Sequence, residues 1–210
     1  MDLAGRWATE VARWGAPPEL VAPVGADLLE RYAQPHRRYH TVAHLGAVLD
    51  ALFLDLAADP AAVALAAWFH DAVYDPRAPR GANEEASATL AAAALTSLGA
   101  PAATVAAVGR LILTTADHVV GPEDADGAVL GDADLSILGS SPSTYRAYVT
   151  ATREEYGWLS AEEWRLGRSA VLGGFLGRPR IYATGRGRDR WEVAARRNLG
   201  DELAALDPQA

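Results

Sequence analysis

The stretch Pro60-Ala61-Ala62-Val63-Ala64-Leu65-Ala66-Ala67-Trp68-Phe69 is apolar on every side and runs straight into His70-Asp71. Asp59-Pro60 supplies a cap followed by a first-turn proline, so the run opens as a helix. A helix with no polar face belongs inside the protein, and this one is far too short to span a bilayer. The chain must therefore wrap other elements around it. An aspartate at the end of a buried helix also needs a partner, because desolvating an unpaired carboxylate is costly. A metal ion would be such a partner.

The surrounding sequence supplies helices to do the wrapping. Alanine and leucine dominate, and Val and Ile are scattered instead of clustered in strand-like runs. Gly99 ends one helix and Pro101 starts the next, Ser141-Pro142 is a cap followed by proline, and Ser160-Ala161-Glu162-Glu163 is a capping box. These signals predict an all-α fold with helices near 2–14, 18–33, 40–57, 60–73, 83–98, 101–117, 132–139, 142–156, 160–176 and 189–206. With 210 residues, half of them hydrophobic, residues 1–210 read as a single domain. There is no internal repeat. Two loops stand out: Tyr74 to Ala82, rich in Pro, Arg and Gly, and the acidic Gly121 to Gly127.

Composition removes several classes of chemistry. There is no cysteine, so disulfides and thiol catalysis are out. All 19 basic residues are arginine, which removes Schiff-base and P-loop lysines. A net charge of -8 argues against a nucleic-acid partner, since a long polyanion would be repelled. The N-terminus has no apolar h-region, and the uncharged stretch from Ala86 to Gly109 is interrupted at Gly99-Ala100-Pro101. No signal peptide and no membrane span are expected, and the cytoplasm fits.

Three segments carry candidate chemistry: Tyr39-His40-Thr41-Val42-Ala43-His44, His70-Asp71, and Asp132-Ala133-Asp134-Leu135. With only 5 histidines in the chain, their grouping has weight. His40 and His44 stand four apart on an expected helix and would share a face. A His, a His-Asp pair and a distant Asp bring two imidazoles and two carboxylates, which can surround one divalent cation. Four such ligands leave two open positions in an octahedral site. The set suits Mn²⁺, Fe²⁺, Co²⁺, Ni²⁺ or Mg²⁺, and Zn²⁺ less directly. Asp-x-Asp can also be a helix cap, and Asp124-Ala125-Asp126 reads as one.

The order H…HD…D resembles the HD superfamily of metal-dependent phosphohydrolases. Longer stretches, including YHTVAH, WFHDAVYD, NEEASA, DADLSILG, RIYAT and ARRNL, resemble one family of predicted HD phosphohydrolases over nearly the whole chain. The resemblance implies an all-α HD-type bundle with the metal at its centre. It implies His44, His70, Asp71 and Asp134 as ligands, with Asp132 the alternative for the last. The YHxxxH segment is also similar to that of cyclic-nucleotide phosphodiesterases, which makes His40 a general acid; a residue supporting a ligand is the other reading. His70-Asp71-Ala72-Val73-Tyr74-Asp75 resembles the HDxxED segment of alarmone hydrolases, with Tyr74 in place of the Glu.

The implied activity is hydrolysis of a phosphate ester of a nucleotide or other small phosphorylated metabolite. The metal would polarise a phosphoryl oxygen and lower the pKa of a water, with Asp71 holding or orienting that water. A non-catalytic sensor binding metal and nucleotide is the rival from another class. Around the centre, Asp75 is an acid-base candidate or the start of a turn. Glu84 touches substrate or belongs to the cap formed by Asn83-Glu84-Glu85. His118 approaches the phosphate or ends a helix. Arg178 and Arg180 clamp an anion or are solvated. A two-metal variant would draw on His118 and Asp75. Trp158, Trp164 and Trp191 are expected in the core. A homodimer is compatible with the sequence.

Overall fold

In the computed structural model, residues 2–206 are described. Helices begin where the capping residues stand. α1 (Leu3–Val11) opens on Asp2, whose side chain accepts from the Gly5 N–H. α2 (Pro18–Tyr32) starts with proline in its first turn. α4 (Pro60–Phe69) is capped by Asp59 at the Ala62 N–H, and α8 (Pro142–Glu155) by Ser141. α9 (Ala161–Leu176) carries the full capping box of Ser160 and Glu163. The remaining helices are α3 (Val42–Ala51), α5 (Ala82–Ser97), α6 (Ala102–Thr114), α7 (Ala125–Asp134), the single turn α10 (Gly185–Gly187) and α11 (Val193–Leu206). Arg188–Glu192, leading into α11, is wound as a π-helix. Among the described residues there is no strand, and the fold is all-α as expected.

The apolar helix takes the central place its composition demanded. Ala62 to Phe69 are all buried, and α1, α3, α5, α6 and α7 pack around them. Trp7 meets Trp68 and Phe69 edge-on, with ring centroids 5.5 and 5.9 Å away. Each large side chain buried this way contributes about 1.5–3 kcal/mol. Gly25 of α2 is required there, because a Cβ would lie 2.4 Å from the Trp7 ring. A second apolar cluster joins α8, α9 and α11 through Tyr145, Leu172, Tyr182, Trp191 and Leu199. Phe53, just after α3, stacks on Trp191 and links the two halves. The ends of α4 and α7 and the start of α3 meet between these clusters, and the histidines and aspartates gather there.

Several expected boundaries shift. The helix expected over 40–57 covers only Val42–Ala51, so His40 precedes it, and Thr41 is its N-cap residue. α4 stops at Phe69 instead of continuing to 73, and the His70 ring turns back to the Ala67 carbonyl. The helix expected over 132–139 runs earlier, Ala125–Asp134, with Asp124 capping the Gly127 N–H; a 3₁₀ turn, Leu135–Gly139, follows. The helix expected over 101–117 ends at Thr114, so His118 lies in a loop. Asn83 does not cap α5. Gly81, at φ +83°, takes the cap position, and Asn83 instead bonds the Asp75 backbone in both directions. Among the described residues no helix is long and apolar enough to cross a membrane.

Candidate metal site

Four side chains converge from three helix ends. His44 comes from the first turn of α3, His70 and Asp71 follow α4, and Asp134 closes α7. His44 Nε2 lies 3.2 Å from His70 Nε2. Asp71 Oδ2 is 3.3 Å from His44 Nε2 and 3.1 Å from His70 Nε2. Asp134 Oδ1 is 3.3 and 3.5 Å from the same two atoms. Around one ion bound at about 2.0–2.2 Å, neighbouring ligand atoms stand roughly 3–3.5 Å apart, so the spacing fits. His44, His70 and Asp134 form a group able to hold a metal ion, and Asp71 touches both of its imidazoles.

The donor chemistry agrees. His70 Nδ1 is 2.8 Å from the Ala67 carbonyl, which can only accept, so Nδ1 carries the proton. In its neutral form the ring then aims an Nε2 lone pair at two carboxylates. Lone pairs facing carboxylates in a buried site require a cation, either a metal or protons on the rings. Burial alone would push the His44 and His70 imidazoles down, yet Asp134 and Asp71 outweigh it and hold both above the usual value. Burial would raise Asp71 and Asp134, but His70 and the other histidines hold both well below the carboxylate range.

The structure separates Asp132 from Asp134. Asp132 is buried and turns away from the centre, accepting from the Ala183 N–H at 2.7 Å, the Thr184 N–H at 2.9 Å and the Thr184 hydroxyl at 2.6 Å. It anchors the C-terminal segment. Asp134 faces the centre, and its second oxygen lies 2.8 Å from His118 Nε2.

His40, although outside the helix, is brought to the centre, its ring centroid 5.6 Å from that of His44. Its position is set by a residue that sequence reasoning missed. Glu155, at the end of α8, accepts from the backbone N–H groups of Arg38, Tyr39 and His40 through Oε1, and Oε2 lies 2.7 Å from His40 Nδ1. The Tyr74 hydroxyl donates to Oε2 as well, and the Tyr74 ring stacks on His40 at 4.2 Å. Burial opposes the Glu155 charge, but the His40 hydrogen bond and the backbone N–H groups bring it down to about 2. One signal pointed to it: Glu154-Glu155 closes a helix, the end where the dipole disfavours acids.

Arg37 was missed too. Buried beneath the site, its guanidinium donates to the carbonyls of His40 at 3.0 Å, Asp71 at 2.8 Å and Ala72 at 3.2 Å. It lies over the rings of Tyr32 and Tyr74, and the Asp71 N–H donates to the Tyr32 hydroxyl. One cation thus joins the His40 segment to the His70-Asp71 turn.

A cavity of about 560 Å³ opens on this centre and is lined by His40, Asp71, Asp134 and His118 on one side. The loop after Tyr74, rich in Pro, Arg and Gly, forms part of its wall. Asp75 and Glu84 line it as well. Asp75 is exposed and its Oδ1 accepts from the Arg77 N–H, which is the turn-starting reading, while Glu84 lies in the first turn of α5.

Arg178 and Arg180 do not line the cavity. Arg178 instead donates to the carbonyls of Asp117 and His118. It braces His118, whose φ of +52° lies in the left-handed region that costs a non-glycine residue energy. The arginines at the cavity are Arg77 and Arg80. Trp191 is buried and Trp164 half-buried, but Trp158 departs from the core expectation, since 48% of it is exposed at the cavity.

Comparisons with family models, with curated proteins and with solved structures find no match to this chain.

Proposed function

We propose that this protein is a metal-dependent phosphohydrolase of the HD type, cytoplasmic, acting on a nucleotide or another small phosphorylated metabolite. One observation carries the reading. Two imidazole nitrogens and two carboxylate oxygens meet at 3.1–3.5 Å, beside a third histidine, held by a carboxylate, that lines the cavity with Asp71 and Asp134. The motif resemblance supports it.

His44, His70, Asp71 and Asp134 would hold the ion. A bound divalent ion would supply Lewis-acid polarisation of a phosphoryl oxygen and make a water more acidic. The chain's own residues do the rest. Water adds to phosphorus as the ester P–O bond breaks, yielding an alcohol and phosphate. Asp71, on the cavity wall and among the ligands, is placed to orient that water. His40 delivers a proton to the leaving oxygen, with Glu155 and Tyr74 fixing its ring. His118 and the arginines of the loop after Tyr74 attract the anion. The excess of acids over the surface favours small substrates over nucleic acids.

The test is phosphate release from a panel of nucleotides and sugar phosphates with Mn²⁺, Co²⁺, Ni²⁺ or Mg²⁺ added in turn. Metal-dependent release that disappears in Asp71→Ala supports the hydrolase. Metal binding without any release favours a sensor instead.

A further inference from the structure

Two cavities reach the metal centre. One contains His40, Asp71, Asp134 and His118. The other, about 570 Å³, runs between α3 and α8, is lined by small residues such as Ala147 and also by Tyr148, Arg190 and Trp191, and touches the centre only through His44 and Asp134. They are not equivalent for chemistry. A general acid must reach the leaving oxygen, and His40 lines only the first. Whatever leaves with that oxygen must therefore occupy the first cavity.

The far wall of that cavity is unusual for a water-facing surface. Trp158, on the loop between α8 and α9, is 48% exposed, and Val171 is 49% exposed beside it. The Arg77 guanidinium lies 5.6 Å from the centre of the Trp158 ring, and Arg80 lines the same space. Among the described residues neither arginine forms an ion pair with an acid, so both are available to an anion. A half-exposed indole, a planar cation 5.6 Å from its ring centre, and Asp71 and Asp134 of the metal centre line one cavity, a slot for a flat aromatic group joined to a phosphate. The volume suits a ligand of that size.

We infer that the leaving group is a nucleoside whose base stacks on Trp158, so that the substrate is a nucleoside monophosphate and Trp158, with Arg77, determines specificity. This rests on the proposed hydrolase reading for the direction of the leaving group. Hydrolysis transfers the His40 proton to the nucleoside oxygen and leaves phosphate at the centre. Base–aromatic stacking on this scale changes affinity about 5- to 150-fold.

The experiment measures binding by calorimetry on the Mn²⁺-loaded full chain, comparing nucleoside 5′-phosphonates, whose P–C bond cannot be hydrolysed, with the corresponding ribose 5-phosphonate. Wild type should bind at least one nucleoside phosphonate about tenfold or more tightly than the ribose phosphonate. Trp158→Ala should erase that ratio and Trp158→Phe retain most of it; Trp158 is exposed enough for the fold to tolerate either change. Ala147→Leu, which fills the other cavity at an exposed position, should leave the ratio unchanged. A wild-type ratio near one, a ratio that survives Trp158→Ala, or a ratio lost in Ala147→Leu overturns the inference. Metal-dependent hydrolysis without the binding preference would leave the hydrolase standing and remove the nucleoside slot. The preference without hydrolysis would keep the slot and remove the hydrolase.

Discussion

Glu155 grips His40 at two points: Oε2 stands 2.7 Å from the ring Nδ1, and Oε1 accepts the His40 backbone N–H at 3.0 Å. The carboxylate can only accept, so Nδ1 carries a proton and the ring is locked in one orientation toward the cavity. A histidine fixed this way is suited to proton transfer.

Glu155→Gln should lower kcat by about 10–100-fold with little change in KM. The loss should shrink on p-nitrophenyl phosphate, whose leaving group departs without needing a proton. Steady-state kinetics on both substrates provide the check, and an equal loss on each would remove His40 from the acid role.

Glu155 also links the site to stability. Its folded value of about 2 lies below the ordinary 4.5. A depressed carboxylate contributes fully above about pH 4.5, and the contribution is lost as pH falls toward 2. The shift corresponds to roughly 3 kcal/mol. Urea midpoints for wild type and Glu155→Gln should thus differ at pH 6 and nearly coincide near pH 2. A gap that stays constant with pH would show that the carboxylate's charge does not matter.

Ligand protonation predicts the behaviour of the metal. With His44 and His70 held above their usual values by Asp71 and Asp134, a metal must displace protons when it binds the cluster. Calorimetric titration with Mn²⁺ near pH 7 should show a heat that varies with the ionisation enthalpy of the buffer, and an affinity that rises with pH. Metal at about a hundred times Kd should add roughly 2.7 kcal/mol of stability. Binding with no proton release would contradict the geometry of the cluster.

Asp132 and Asp134 should separate cleanly when mutated. Asp132→Ala strands the three donors of Ala183 and Thr184 and should cost about 2–3 kcal/mol while metal affinity persists. Asp134→Ala should remove metal binding with a smaller loss of stability. Denaturation and Mn²⁺ titration on both variants provide the comparison, and metal loss in Asp132→Ala with a stable fold would reverse the assignment.

The local signals in this chain were strong. Asp59-Pro60, Ser141-Pro142 and Ser160 with Glu163 start helices in the structure, because a cap acts within one turn and needs no distant partner. The run Ala62–Phe69 had to be central because no face of it could remain in water. Residue type, order and the motif resemblance pointed to His44, His70 and Asp134, with Asp132 open as the last ligand, and the fold brings the first three together. The direction in which each side chain points was another matter. Asp132 and Asp134 are two apart at a helix end, and only packing against Ala183 and Thr184 turns one outward while the other faces His44. Asn83, read as a cap, bonds a loop instead, because Gly81 could adopt the positive φ that the turn required. Glu155, Arg37 and Trp158 gain their roles from residues 115, 34 and 81 positions away, respectively His40, Asp71 and Arg77. The sequence by itself determined the helices, the buried axis and the types of ligand, all of which depend on short-range sterics and burial. Only the tertiary structure decided which acid holds the histidine, which arginine faces the cavity and which tryptophan stays in water, because those depend on contacts between elements far apart in the chain.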